Sequence, residues 1–281
     1  MVLLTLDDGC LRTPVLACRD ALVAEGAEVS TIIATSDAEL DEVVARLDGP
    51  PRPDGLTWPA QAGPRLVVAA AAAGQVRAVV RRMVRRYASP PSRRPPDLAP
   101  DRTLPDLPPI GVLPLYGARL FDLPTDPAPT DPAEVAKAVL HGRPVRLDLL
   151  RNDAGSVTLE GALIGGSTPW SARIEVDDAV LASSDEPVAA CAIGNGDRYA
   201  TLDGLPLVPG ADPTDGVLNV AVAVPVRHRR QVRIEVRRAC GRAVSVTPAA
   251  EVPFEDDGVA GTLDRKRSWW IERGAWAVLR P

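Results

Sequence analysis

The chain has 281 residues, of which 46% are hydrophobic and 25% are charged, and its formal net charge at pH 7 is −5. This composition is typical of a soluble globular protein with room for two modest domains, and the negative charge argues against a nucleic-acid partner. No apolar run approaches the roughly 18 residues of a membrane span, and the N-terminus MVLLTLDDG has no signal-peptide pattern, so we expect a cytoplasmic protein.

Residues 1–144 alternate between strand and helix patterns, which predicts a Rossmann-like, mainly parallel α/β domain. Apolar runs predict strands, and proline, glycine and capping signals predict the helices between them. The predicted strands cover residues 2–6, 29–34, 66–68 and 110–113, and the predicted helices cover residues 13–26, 36–47, 76–87 and 131–142. The Pro-, Arg- and Asp-rich segment 88–109 is predicted to be a flexible surface insertion, with a PxxP ligand for a partner as the alternative.

From residue 145 onward the helical pattern nearly vanishes, and short apolar segments are separated by Gly, Asp and Pro turns. This pattern predicts an antiparallel β-sandwich domain over residues 145–281, whose last strand returns toward the first domain. The predicted strands cover residues 157–164, 172–176, 188–193, 217–224, 232–236, 243–246 and 269–279. The fold class is therefore α/β plus β.

The junction between the third strand and the third helix is the most informative segment of the chain. Such a turn directs free backbone N–H groups and a helix dipole at an anion, and it normally needs several glycines so that a phosphate can approach. Here the turn reads AAAAAGQ over residues 69–75, with a single glycine. The position suits a phosphate-binding loop, whereas the residues do not.

Other segments follow a recognisable order. Residues 193–196 read IGNG, residues 209–220 read PGADPTDGVLNV, and residues 272–279 read ERGAWAVL. Together with GVLPL at 111–115 and DPAEVAKAVLHGRPVRLD at 131–148, they resemble the diacylglycerol kinase catalytic family, which includes bacterial soluble diacylglycerol kinases and sphingosine kinases. The resemblance covers nearly the whole chain and implies the NAD kinase/diacylglycerol kinase-like fold.

The resemblance also implies where a nucleotide would bind, and the chain departs from the family there. The family's GGDGT loop falls on residues 71–75, its NPxxG turn on residues 5–9, and its PlGTxN turn on residues 114–119. The residues at these cofactor-binding positions are Gly9, Gly74, Gln75, Tyr116, Gly117 and Arg119.

The residues at the family's catalytic motif also differ from the family pattern. The family's DGE motif falls on Asp257-Gly258-Val259, so Asp257 is the candidate base and the second acid is replaced by Val259. Because phosphoryl transfer depends mainly on positioning and charge stabilisation, each missing group matters.

Asp212, Asp215 and the carbonyl of Val217 resemble the structural Mg²⁺ site of some bacterial family members. Oxygen ligands suit Mg²⁺. The alternative is an ordinary turn, in which Asp-Pro and Asp-Gly pairs are common.

The sequence leaves two kinds of partner undecided. The basic run at residues 81–94 could contact an anionic membrane surface transiently or form a solvated helix face. A homo-dimer is also compatible with the sequence.

The combined departure of these motifs favours a degenerate lipid-kinase-fold protein, a pseudokinase without ATP phosphotransfer. It would use the interdomain cleft to bind a small molecule or lipid, or for an acquired chemistry. The alternatives are an active divergent ATP-dependent diacylglycerol or lipid kinase, and a structural or regulatory partner protein. Whether the chain is an enzyme stays open: the motifs argue against ATP as a cofactor, while Mg²⁺ remains a structural candidate.

Overall fold

The computed structural model describes residues 1–6, 12–123, 126–197, 199–202, 204–228 and 231–281. The chain divides into two compact units. The first comprises Met1–Leu147 together with Gly274–Pro281, and the second comprises Asp148–Arg273. Within the described ranges, no helix is both long and apolar enough to cross a membrane.

The first unit is an α/β layer structure around a parallel sheet. Its strand order is β2 (Ser30–Ile33), β1 (Val2–Thr5), β3 (Leu66–Ala70), β4 (Ile110–Pro114) and the end of β17 (Arg267–Arg280). Strands β1, β3 and β4 are buried throughout, as expected for a parallel sheet with helices on its faces. Its elements are β1 (Val2–Thr5), α1 (Thr13–Ala24), β2 (Ser30–Ile33), α2 (Asp37–Ala45), β3 (Leu66–Ala70), α3 (Ala73–Tyr87), β4 (Ile110–Pro114) and α4 (Pro132–His141). The predicted α/β alternation is confirmed.

Local sequence signals explain where these helices begin. The Ser36 side chain accepts from the Glu39 N–H at the start of α2, and the Glu39 carboxylate accepts from the Ser36 N–H in return. Asp131 caps α4 by accepting from the first-turn N–H groups. By contrast, Ala72 at the start of α3 provides no side-chain cap.

The second unit consists of antiparallel strands. Strand β7 connects two sheets: its first part lies between β9 and β15, and after a register shift between Gly165 and Trp170 its second part pairs with β14 and β8. The remaining strands are β5 (Arg143–Asn152), β6 (Val157–Thr158), β7 (Gly161–Val176), β8 (Ala179–Ala182), β9 (Pro187–Gly194), β10 (Thr201–Leu202), β11 (Leu205–Pro206), β12 (Leu218–His228), β13 (Gln231–Gly241), β14 (Ala243–Pro248), β15 (Val252–Asp256), β16 (Val259–Leu263) and β17 (Arg267–Arg280).

One apolar core joins the two sheets of this unit. Val222 of β12, Val246 of β14 and Trp269 of β17 belong to the same buried cluster. The sandwich arrangement therefore follows from inward-facing side chains that alternate along each strand.

Three segments differ from the sequence expectation. The Pro-rich segment 88–109 is not a loose insertion, because Leu98, Leu104 and Leu107 are buried and a short 3₁₀ helix forms at Pro91–Arg93. These leucines bury apolar surface that holds the segment in place, and composition alone does not show this. Residues 143–152 and 252–263, which carry mixed polar and apolar residues, also form strands that the apolar runs did not indicate.

The basic run on α3 faces acidic groups of its own unit. Arg82 is buried and donates to Asp37 and Asp41, and Arg86 donates to Asp48. The Arg82 hydrogen bond is the main reason why the pKa of the Asp41 carboxyl is lowered. These arginines fasten α3 to the α2 segment, and contact with a membrane surface remains a prediction.

Candidate functional site

The turn between β3 and α3 contains the strongest candidate for a ligand-binding position, and one of its backbone N–H groups already has an acceptor. The Gln75 side-chain Oε1 accepts the Ala71 backbone N–H at 2.6 Å. Gly74 lies in the first helical turn of α3. An N–H group that would face a phosphate in a glycine-rich loop is therefore paired with a neutral side chain of the same turn.

The turn after β4 lies beside it. The Leu115 N–H donates to the Ala70 carbonyl, so the carboxyl ends of β3 and β4 meet at the same edge of the sheet. Tyr116 and Gly117 both have positive φ angles, 56° and 72°, and the Ala118 N–H closes the turn on the Leu115 carbonyl. A bulky residue with a positive φ is a strained outlier, and such strain is concentrated at functional sites.

Tyr116 projects outward from this strained turn. Its side chain is 67% exposed, and the guanidinium carbon of Arg12 lies 4.5 Å from its ring centroid. Arg12 occupies the N-cap position of α1. The aromatic ring and the cation form a stacked pair that the sequence motifs did not predict, because Arg12 falls outside every motif.

Arg119 is directed away from this pair. Its Nε donates to Asp122 at 2.7 Å, and the side chain is 70% exposed. Burial alone would raise the pKa of the Asp122 carboxyl, but the Ala128 N–H and the Arg119 guanidinium lower it. Gly9, the remaining cofactor-binding position, lies outside the described residues.

The candidate base, Asp257, is built into the second unit. Its Oδ2 accepts from the Leu159 N–H at 2.8 Å, and its Oδ1 accepts from the N–H groups of Glu160 and Gly161 at 2.8 and 3.0 Å. The residue is 2% exposed. Three backbone donors thus hold this carboxylate in a structural position.

The backbone conformation of Asp257 is set by the turn in which it lies. Asp257 and Gly258 form the two-residue loop of the β15–β16 hairpin, with φ angles of 49° and 79°. Such angles at both positions suit the Asp-Gly sequence of a type I′ turn. Val259, which replaces the family's second acid, is exposed and carries no ionisable group.

In the turn predicted to bind Mg²⁺, two carboxylates accept hydrogen bonds from residues of the same turn. Asp212 Oδ1 accepts from the Thr214 N–H and hydroxyl, and Asp215 Oδ1 accepts from the Val217 N–H. In the described part of the chain, no three His, Cys, Asp or Glu side chains form a group suited to a metal ion. Magnesium at this turn stays a prediction.

Two buried polar residues beside this turn were not identified as site residues from the sequence. Asp148 Oδ2 accepts the Gly216 N–H at 2.7 Å, and Asn195 Nδ2 donates to the carbonyls of Asp148 and Leu159. A Cβ at Gly216 would collide with the Arg273 guanidinium, and its φ is 78°. Both residues lie in segments that carry the family resemblance, 131–148 and 193–196, and Asp148 is also an acidic residue inside an apolar strand pattern, LDLL at 147–150.

Comparisons with known proteins show the fold. No family model matches the sequence, and no curated protein matches it. A diacylglycerol kinase structure from Bacillus anthracis aligns with a TM-score of 0.66 at 14% identity, covering 100% of this chain and 96% of that one. The chain has the diacylglycerol kinase-like fold.

Two structures of kinases that act on NAD or NADH also align with the chain. An NAD kinase from Archaeoglobus fulgidus in complex with ATP aligns with a TM-score of 0.56 at 14% identity, over 99% of this chain and 92% of that one. Yeast NADH kinase complexed with NADH aligns with a TM-score of 0.56 at 13% identity, over 100% and 83%. At this level of identity the likeness covers the fold, and the activity of this diacylglycerol kinase-like chain depends on its own residues.

The role of Asp257 can be tested through stability. We expect Asp257→Asn to lower the free energy of unfolding by about 1–3 kcal/mol, because at least one buried N–H loses its acceptor. Asparagine tolerates positive φ, so the substitution leaves the turn conformation accessible. Urea unfolding measures the change. The exposed Asp264→Asn is the matched control and should stay within about 0.5 kcal/mol of the wild type. Unchanged stability of Asp257→Asn would contradict a structural role.

Proposed function

We propose that this diacylglycerol kinase-like chain does not transfer a phosphoryl group from ATP and that it binds a small molecule other than ATP. The observation that carries the first part is the position of Asp257. A general base must reach the proton that it removes. The Asp257 carboxylate is buried and accepts three backbone N–H groups.

The β3–α3 turn supports the same proposal from the first unit. Phosphate sites depend on backbone N–H groups that have no acceptor until the ligand arrives. The Ala71 N–H already has one in Gln75, and Ala72 replaces a glycine that would let a phosphate approach. Both features support the proposal that ATP is not the ligand of this turn.

The second part of the proposal rests on Tyr116 and Arg12. A strained, exposed aromatic residue at the carboxyl edge of a parallel sheet costs free energy that packing does not recover. Ligands of open α/β sheets bind at this edge. A stacked tyrosine and guanidinium together suit a ligand with a planar or anionic group.

An ADP-release assay tests the absence of phosphotransfer. The protein is incubated with Mg²⁺·ATP and a panel of diacylglycerol, sphingosine and other hydroxyl lipids, with an active bacterial diacylglycerol kinase as the positive control. We expect ADP release at the level of the protein-free blank. Turnover that disappears in Asp257→Asn, with the variant still folded by circular dichroism, would establish the alternative of an active divergent lipid kinase.

Native mass spectrometry tests the small-molecule site. We expect the purified protein to retain a bound small molecule that Arg12→Gln and Tyr116→Ala each release. Arg52→Gln is the matched control, because Arg52 lies 3.8 Å from the ring of Trp58 in the same unit. Binding that survives both site substitutions, or no bound mass in the wild type, would contradict the proposal and favour a structural or regulatory role.

A further inference from the structure

Strand β13 forms the outer edge of its sheet. It pairs with β12 along its whole length, Leu218↔Gly241 to His228↔Gln231, without a register shift. Among the described residues, no other strand pairs with β13. A long, regular edge strand exposes backbone N–H and C=O groups that can pair with another chain.

The N-terminal half of this edge also carries exposed apolar side chains. Val232 is 63% exposed and Ile234 is 42% exposed. Beyond them the strand is covered, because the Arg237 guanidinium donates to the Leu181 carbonyl and to Glu186. The free edge is therefore Gln231–Val236, and we call it the β13 edge.

We propose that the β13 edges of two copies of this chain pair antiparallel about a two-fold axis at Ile234. In this register Ile234 lies opposite Ile234 of the partner subunit, and Val232 lies opposite the partner's Val236. Arg233 then lies opposite the partner's Glu235, and the reverse pair forms by symmetry. Within each copy Glu235 Oε1 also accepts from the Arg237 Nε at 3.1 Å, so the partner's Arg233 would be the second guanidinium beside that carboxylate. A two-fold contact must be self-complementary in this way.

The charge pattern selects this register over its neighbours. A continuous sheet requires that opposite residues share a face, so the axis must pass through a residue of the strand. An axis at Arg233 would oppose two arginines, and an axis at Glu235 would oppose two glutamates. Like charges directly opposite each other are destabilising. With the axis at Ile234, Arg233 of each copy lies opposite Glu235 of the partner subunit, so two pairs of opposite charge form across the contact.

The apolar residues agree with the same choice. Val232, Ile234 and Val236 alternate along the strand and share one face. On that face Ile234 pairs with Pro225 of β12, and Val236 pairs with Ala223. Edge-to-edge pairing would place the same apolar residues of the partner subunit beside this stripe and extend the sheet across both copies.

Charge exchange between Arg233 and Glu235 tests the pairing. Arg233→Glu leaves two facing acidic residues, and Glu235→Arg leaves two facing basic residues. Analytical ultracentrifugation should show the wild type at twice the 29.7 kDa chain mass, and each single variant should dissociate at least about tenfold more readily. An equimolar mixture of the two variants should restore a dimer, because each then opposes the other's charge.

A matched pair on a strand that is paired on both sides controls for charge alone. Arg173 and Glu175 have the same two-residue spacing on β7, between β14 and β8, and form an ion pair there. Arg173→Glu and Glu175→Arg should leave the dimer intact. A wild type that stays monomeric at all concentrations, or a dimer that is insensitive to both β13 variants, would overturn the proposal. Failure of the mixture to associate would overturn the register.

Discussion

Backbone N–H groups at the ends of strands need acceptors, and this requirement organises both units of the protein. In a phosphate-binding loop the ligand supplies the acceptor. In this chain side chains supply it at two informative positions. Gln75 accepts from Ala71 in the first unit, and Asp257 accepts from three consecutive residues in the second. At both positions a side chain of the same unit therefore satisfies the backbone and stabilises the local fold.

The same requirement explains which motifs resemble the diacylglycerol kinase family most clearly. The segment PGADPTDGVLNV has partners inside its own unit: the Gly216 N–H bonds to Asp148, and the Arg273 guanidinium fills the space where a Cβ would lie. A phosphate-binding loop at residues 71–75, which read AAAGQ, would need more than one glycine. In the segment PGADPTDGVLNV the residues that resemble the family therefore have a packing role, and the proposed absence of a phosphate site concerns residues 71–75.

The sequence predicted the first unit well because its signals are local. Apolar runs and caps such as Ser36 with Glu39 locate helices and strands directly. It could not predict the role of Asp257, since three hydrogen bonds to residues nearly a hundred positions away are long-range contacts. The stacking of Arg12 on Tyr116 was missed for the same reason. Residues 88–109 were misjudged because composition does not show which leucines are buried.

The amide resonance of Ala71 tests the central claim most directly, because it reports on the N–H of this turn that Gln75 occupies. Titration with Mg²⁺·ATP should leave the Ala71 resonance unchanged in the wild type, and hydrogen exchange at Ala71 should be slowed relative to Gln75→Ala, in which the acceptor is absent. A saturable shift of the Ala71 resonance with Mg²⁺·ATP would contradict the account, because it would show that the nucleotide displaces Gln75 and binds the turn.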